Sequence, residues 1–365
     1  MKKKALLVTV CTLALLSAVW ALAAGGDASD PLISLSYLTS TYTSTVDARV
    51  DEMLDESDEA LLELADGETS SLETPAAATW QETRLKFGDT LQAVTGTNVL
   101  VLAGGVRVDF SAGAVIDVTT GTAVPSGTAL TVNHRYMAAE DTTATFTVTT
   151  KTAVVNYQGY YSFRYSDATD YNAIAQALKT MHLFKGSFTG YGQGFDLEMA
   201  PTRIQALIMF IRVLGEEEAA LAYTGTTPFT DIARGSQSEK YVGYALSRGY
   251  TNGYTATSFR PNQAVSANQY TEFMLRALGY SSAANTDLSG TMSNALANGV
   301  LTESEVTMLQ SSTFLRADLV YESYFALDAL MADTGLTLRD TLMDKGVFTA
   351  AEAKAAAKLV PERIV

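Results

Sequence analysis

Ser266-Ala267-Asn268-Gln269-Tyr270-Thr271-Glu272-Phe273-Met274-Leu275-Arg276-Ala277-Leu278-Gly279 reads as one helix with both ends marked. Ser266 and Gln269 have the S/T-x-x-E/Q spacing of a capping box, in which hydroxyl and amide each satisfy an orphan backbone N–H. Tyr270, Phe273, Met274 and Leu278 recur at three- and four-residue steps and so share one face. Gly279 supplies a C-terminal stop. The pattern recurs. Thr202 and Gln205 open a second stripe of Ile204, Leu207, Ile208, Ile211 and Leu214, closed by Gly215. A third stripe carries Val320, Tyr324, Leu327 and Met331. Each stripe is preceded by a shorter helical segment that ends near a glycine: Ile174 to Met181 before Gly186, Tyr241 to Leu246 before Gly249, and Met292 to Leu296 before Gly299. Such recurrence marks a repeat architecture, in which each unit buries its apolar face against its neighbours.

The connecting loops carry a resemblance. Pro228-Phe229-Thr230-Asp231-Ile232 resembles the opening of an S-layer homology repeat, and Gly249-Tyr250-Thr251-Asn252-Gly253-Tyr254 with Ser258-Phe259-Arg260-Pro261-Asn262 resembles its central turn and loop. Leu183-Phe184-Lys185-Gly186 and Phe195-Asp196-Leu197 look like the same region in a first copy, and Ala297-Asn298-Gly299-Val300-Leu301 in a divergent third. The family's Thr-Arg-Ala-Glu motif at the start of the long helix is matched by Thr202-Arg203-Ile204-Gln205. In Ser266-Ala267-Asn268-Gln269 the arginine is lost, and in Leu315-Arg316-Ala317-Asp318 the hydroxyl is lost.

A cation in the first turn of a helix opposes the helix dipole. Arg203 and Arg316 therefore stand where local stability prefers an acid. Backbone N–H groups and a guanidinium fork together bind carboxylate or phosphate well. The resemblance implies that this anion belongs to a pyruvylated secondary wall polysaccharide. It also implies that three repeats form a pseudo-threefold bundle with grooves between them. Candidate ligand-binding residues are Arg203, Thr202, Gln205, Arg316, Asp318, Lys185 and Arg260, with Tyr191, Tyr250 and Tyr254 as aromatic liners. Packing within the loops is the competing role for the last five of these.

Upstream the chemistry differs. Lys2, Lys3 and Lys4, an apolar run from Ala5 to about Leu22 and the small residues Ala21-Leu22-Ala23 form the pattern of a secretory signal peptide over 1–23. Residues 24–44 read as a linker. Residues 45–66 read as an amphipathic helix or short coiled coil, with Val46, Val50, Met53, Ala60 and Leu64 on one face. Over 79–165, Val106, Val108 and Phe110 alternate with Arg107 and Asp109, and Phe146 and Val148 alternate with threonines. This predicts a small all-β domain, sandwich or barrel, with turns at Gly104-Gly105, Ser111-Ala112-Gly113, Pro125-Ser126-Gly127 and Gln158-Gly159.

The expected fold is thus α+β and multidomain, with repeats over 170–225, 226–282 and 283–358. The formal charge of −15 becomes −18 without the three lysines of the leader (−15 − 3), which disfavours nucleic acid as a partner. The single cysteine, Cys11, lies in the leader, so thiol catalysis, disulfides and a zinc–thiolate centre are not expected. No second apolar stretch is long enough to span a bilayer. No P-loop, dinucleotide fingerprint or nucleophile elbow appears, and no cofactor is implied. The expected function is non-enzymatic anchoring of a secreted cell-surface protein to secondary wall polysaccharide or peptidoglycan, displaying the β domain. Two alternatives are a self-assembling surface-layer protein and a wall-glycan hydrolase with its site in the β domain, where Asp109, Asp117, Glu140 and Asp141 are scattered as on a solvated face.

Overall fold

The computed structural model describes residues 76–186, 194–282 and 284–365, together with Val46 and Arg49, which are helical and exposed. The leader, the linker, most of the expected 45–66 helix and Tyr191 lie outside the described residues. No helix among the described residues is long and apolar enough to cross a membrane.

Residues 76–164 form one antiparallel sheet of eight strands: β1 (Ala76–Lys86), β2 (Thr90–Val94), β3 (Asn98–Asp109), β4 (Val115–Asp117), β5 (Thr122–Val124), β6 (Thr128–Ala129), β7 (Arg135–Ala138) and β8 (Thr143–Arg164). The order is β1-β8-β3-β7-β4-β5, with β2 against β8 and β6 against β3. β8 organises the sheet. Leu91 of β2 faces Phe146 in one part of β8 and Phe163 in the other, so β8 wraps around β2 and the sheet curls back on itself. Alternation places Leu91, Val99, Val101, Val106, Val108, Phe146 and Val155 in its core. Two expected turns are not turns. Gly104-Gly105 lies within β3, where the register to β8 shifts. Gln158-Gly159 lies within β8. A Cβ on Gly159 would stand 2.8 Å from the Cα of Thr97, so the glycine there admits a close neighbouring strand instead of reversing the chain.

The remainder is helical: α1 (Tyr171–Thr180), α2 (Arg203–Val213), α3 (Glu217–Ala222), α4 (Gln237–Ser247), α5 (Ala267–Leu278), α6 (Thr291–Ala297), α7 (Glu303–Gln310), α8 (Arg316–Phe325), a 3-10 turn (Ala326–Asp328), α9 (Leu338–Asp344) and α10 (Ala350–Ala357). The third stripe is shorter as a helix than its sequence suggests. α8 ends at Phe325, Leu327 stays buried in the 3-10 turn, and Met331 lies beyond it. Gly215 and Gly279 take the left-handed conformation, φ 68° and 86°, that ends α2 and α5. One apolar cluster joins all these helices, with Phe210, Tyr241, Phe259, Tyr270, Phe273 and Tyr321 among its largest buried side chains. The sheet and the helices belong to one compact unit, residues 74–365. Lys151 of β8 forms an ion pair with Asp318 of α8, and the Arg84 guanidinium of β1 lies 5.8 Å from the centre of the Phe195 ring.

Candidate functional site

The start of α2 is capped as its sequence requires. Thr202 Oγ1 accepts from the Gln205 N–H at 3.4 Å, and Gln205 Oε1 accepts from the Thr202 N–H at 3.0 Å. The two amides between them do not wait for a ligand. The Arg203 N–H donates to the Gln263 carbonyl (2.8 Å) and the Ile204 N–H to the Pro261 carbonyl (3.0 Å). The expectation that free helix N–H groups hold an anion is therefore corrected: the loop carrying Pro261 and Gln263 already satisfies them.

The guanidinium of Arg203 is different. Arg203 is only 6 % exposed, yet no carboxylate among the described residues is paired with it. Its charge lies 4.9 Å from the Phe259 ring centre and 5.4 Å from that of Phe273. Nη2 makes a long bond of 3.4 Å to the Gly253 carbonyl, and the buried Nε has no partner. Burial, helped by the nearby Arg276 charge, brings its pKa down to about 10. Gly253 is required where it stands. Its φ is +82°, and a Cβ would come within 2.3 Å of the Phe229 ring.

Arg203 lines a groove of about 610 Å³. The loop Asn252, Gly253, Tyr254, Thr255 and Ala256 forms one wall. Gln269, Glu272, Phe273 and Arg276 of α5 form a second, and Asn285, Thr286 and Leu288 a third. Arg276 and Glu272 are nearly fully buried and pair at 3.1 Å. Arg276 also donates to the carbonyls of Tyr250 (3.3 Å) and Asn285 (2.7 Å). Glu272 also accepts from Ser281, from Asn285 (3.3 Å) and from Thr291 (3.0 Å). Every nitrogen of Arg276 is thus engaged inside the protein, whereas the Arg203 side chain makes a single long bond.

The structure brings few of the other expected residues to this groove. Tyr254 stands at its edge, 46 % exposed, with the Arg260 guanidinium 3.6 Å from its ring centre. Arg260 holds a left-handed φ of 59°. Asp231 braces that loop by accepting from the Phe259 and Arg260 N–H groups and the Ser258 hydroxyl. Thr202 and Gln205 act as the cap. Lys185 reaches Glu217 at 2.5 Å instead. Burial opposes ionisation of Glu217, but Lys185, Tyr241 and Arg212 together hold it at about 2. Tyr250 is buried, with its hydroxyl on Glu216. Arg316 packs 5.9 Å from the Phe184 ring centre and donates to the Phe195 carbonyl (3.2 Å). Burial pulls its pKa down, while Asp196 and Glu198 act in the opposite direction. Asp318 is 1 % exposed, accepts from the Leu315 N–H (2.9 Å) and binds Lys151. The α8 amides repeat the α2 joint: Arg316 N–H to Met199 (2.8 Å) and Ala317 N–H to Leu197 (3.0 Å). In the sheet, Asp117 accepts from the Thr119 and Thr120 N–H groups and lies 2.7 Å from His134 Nδ1. No group of three or more His, Cys, Asp or Glu among the described residues is arranged to hold a metal.

The sequence reading missed Glu272, Arg276, Asn285 and Gln269 as groove residues. The available signal was that Glu272 and Arg276 are polar residues one turn apart on a helix whose neighbours are mostly apolar.

No curated protein matches the chain in sequence. Among solved structures, a 4-keto-6-deoxy sugar epimerase from Streptomyces spheroides is 20 % identical over 26 % of this chain and 51 % of its own, with a TM-score of 0.16. A dTDP-6-deoxy-D-glucose-3,5-epimerase from Legionella pneumophila is 18 % identical over 27 % of this chain and 54 % of its own, at 0.15. The chain spans about half the length of both, and at these TM-scores neither carries a fold or an activity over. The Asp231-braced loop, Gly253 and the helix cap at Ser266 that shape the groove fall in residues 228–266, the segment that matches the family model of the S-layer homology domain.

Proposed function

We propose that this protein anchors itself non-covalently to a cell wall by holding an anionic group of a secondary wall polysaccharide against Arg203. One observation carries the reading: a buried guanidinium with an unpartnered Nε and no carboxylate lines an open, polar groove. A buried charge of this kind is costly unless something pairs with it, and a pyruvyl carboxylate on a sugar would supply the pairing. The polar side chains of Gln269, Thr255 and Thr286 and the Tyr254 ring suit the neutral remainder of a glycan. The matching joints at the starts of α2 and α8 support a reading of the helical part as three related repeats. The third motif has another role in this reading. Arg316 lies beside the acid of the first loop, and Asp318 is bound to the sheet, so one groove per chain serves the wall. The sheet is the displayed part.

The test is cosedimentation of the full chain with wall sacculi, intact and stripped of secondary polysaccharide. Wild type is expected to bind intact walls only. Arg203→Ala is expected to bind at least about tenfold more weakly, the loss of one charge-assisted contact. Equal binding to stripped walls would overturn the reading. Arg316→Ala, by contrast, is expected to leave wall affinity within about twofold of wild type, because its bonds are internal; the same assay reads this out.

A further inference from the structure

The groove contains three charged residues, Arg203, Glu272 and Arg276. Their sum is one positive charge (two arginines less one glutamate). We infer that Glu272 is a specificity-determining residue that limits the groove to ligands carrying a single negative charge. The inference rests on the wall-binding reading above only for the source of the ligand.

The geometry supports it in three ways. First, Glu272 is 2 % exposed and lines the same space as Arg203, so its carboxylate faces any bound anion across low-dielectric protein. Second, it engages Arg276 through Nε, while the other two nitrogens of that guanidinium are directed at the Tyr250 and Asn285 carbonyls. Every nitrogen of the Arg276 fork is therefore already engaged inside the protein, and its charge is offset by Glu272. Third, the Arg203 guanidinium is the one groove cation without a carboxylate partner and makes a single long bond, to the Gly253 carbonyl, so it offers one uncompensated charge to a ligand. A second negative charge on the ligand would find no second uncompensated cation in the groove and would face Glu272. Rejection by an unpaired, repelled charge is how a site discriminates between ligands of similar shape. Arg260 does not line the groove and is stacked on the outer Tyr254. Glu272 itself is held by Ser281, Asn285 and Thr291, so it cannot swing away when an anion enters.

The experiment is calorimetric titration of the full chain with two matched probes, the methyl glycoside of glucuronic acid and glucose 6-phosphate. The first is a monoanion from pH 5.5 to 8. The second gains its second charge near pH 6. The wild type is expected to prefer the uronate by at least about tenfold at pH 8, and to bind the phosphate roughly tenfold more weakly at pH 8 than at pH 5.5 with the uronate unchanged. In Glu272→Gln the preference at pH 8 is expected to collapse or reverse. The wild-type pH series stands even where that variant does not fold. A wild type that binds the dianion as well as the monoanion overturns the inference, and so does a folded Glu272→Gln with unchanged preference. Charge selection without wall binding would leave the filter standing and overturn the wall reading alone. Failure of both probes to bind overturns the filter.

Discussion

Glu322→Gln is expected to raise stability by roughly 2–4 kcal/mol at pH 8 and to flatten the pH dependence of unfolding between about pH 4.5 and 8. Glu322 lies on α8 inside the helical core, with no solvent exposure, and neither carboxylate oxygen has a hydrogen-bond partner. Burial raises its pKa to about 8. The neighbouring Thr271 hydroxyl acts against that rise, and the carboxylates of Glu305 and Asp318 add to it. The sign follows from proton counting. Above about pH 4.5 the unfolded chain releases this proton while the folded protein keeps it, so stability falls as pH rises, by about 1.4 kcal/mol per unit, until the folded group ionises near pH 8. Gln keeps the shape and has no proton to lose. Urea unfolding of both proteins at pH 5, 6.5 and 8 checks this. Parallel curves would show that Glu322 has a solvated or paired carboxylate.

Lys151→Met is expected to destabilise the protein by about 2–4 kcal/mol, and Lys151→Met with Asp318→Asn by distinctly less. Breaking a buried pair strands the remaining charge, at a cost of about 3–5 kcal/mol. The lower range applies here because Lys151 keeps 21 % of its side chain in water. Asp318 keeps 1 %. Burial already raises its pKa despite the Lys151 charge that lowers it, so without the lysine it must take up a proton or admit water. Asparagine in its place needs no counter-charge. A double-mutant cycle by urea denaturation gives the coupling. Additive single effects would show that sheet and helices are held by other contacts.

The parts of the fold that depend on neighbouring residues in sequence were legible. Ser266 and Gln269 cap α5, Thr202 and Gln205 cap α2, and Leu207, Ile211, Phe273 and Met274 of the two stripes are buried, while Ile204 and Ile208 are half-buried and α2 turns Ala206, Met209, Phe210 and Val213 inward as well. The alternation that buries Val106, Val108, Phe146 and Val148 was legible for the same reason. What failed was non-local. Gly159 was read as a turn because nothing in its own sequence shows Thr97 pressing on it. The amides of Arg203 and Ile204 were read as open because their acceptors, Gln263 and Pro261, lie some sixty residues away. Glu272 and Arg276 have the i,i+4 spacing of a solvated surface pair, and only the loop through Ser281, Asn285 and Thr291 turns them into a buried wall of the groove. Asp318 sits where the family motif has its acid, yet its partner is a lysine on a strand 167 residues earlier.

The joints at the starts of α2 and α8 bear on how this part of the chain can be divided. Each gives two main-chain donors of one long helix to carbonyls in a loop distant in sequence: Arg203 and Ile204 to Gln263 and Pro261, Arg316 and Ala317 to Met199 and Leu197. A segment cut between such a helix and its distant loop would leave two such donors, or their acceptors, without partners, and would open the one apolar cluster that joins the helices. The stretch 228–266 that matches the family model therefore cannot satisfy its own backbone: it holds the Pro261 and Gln263 acceptors, while their donors lie on α2.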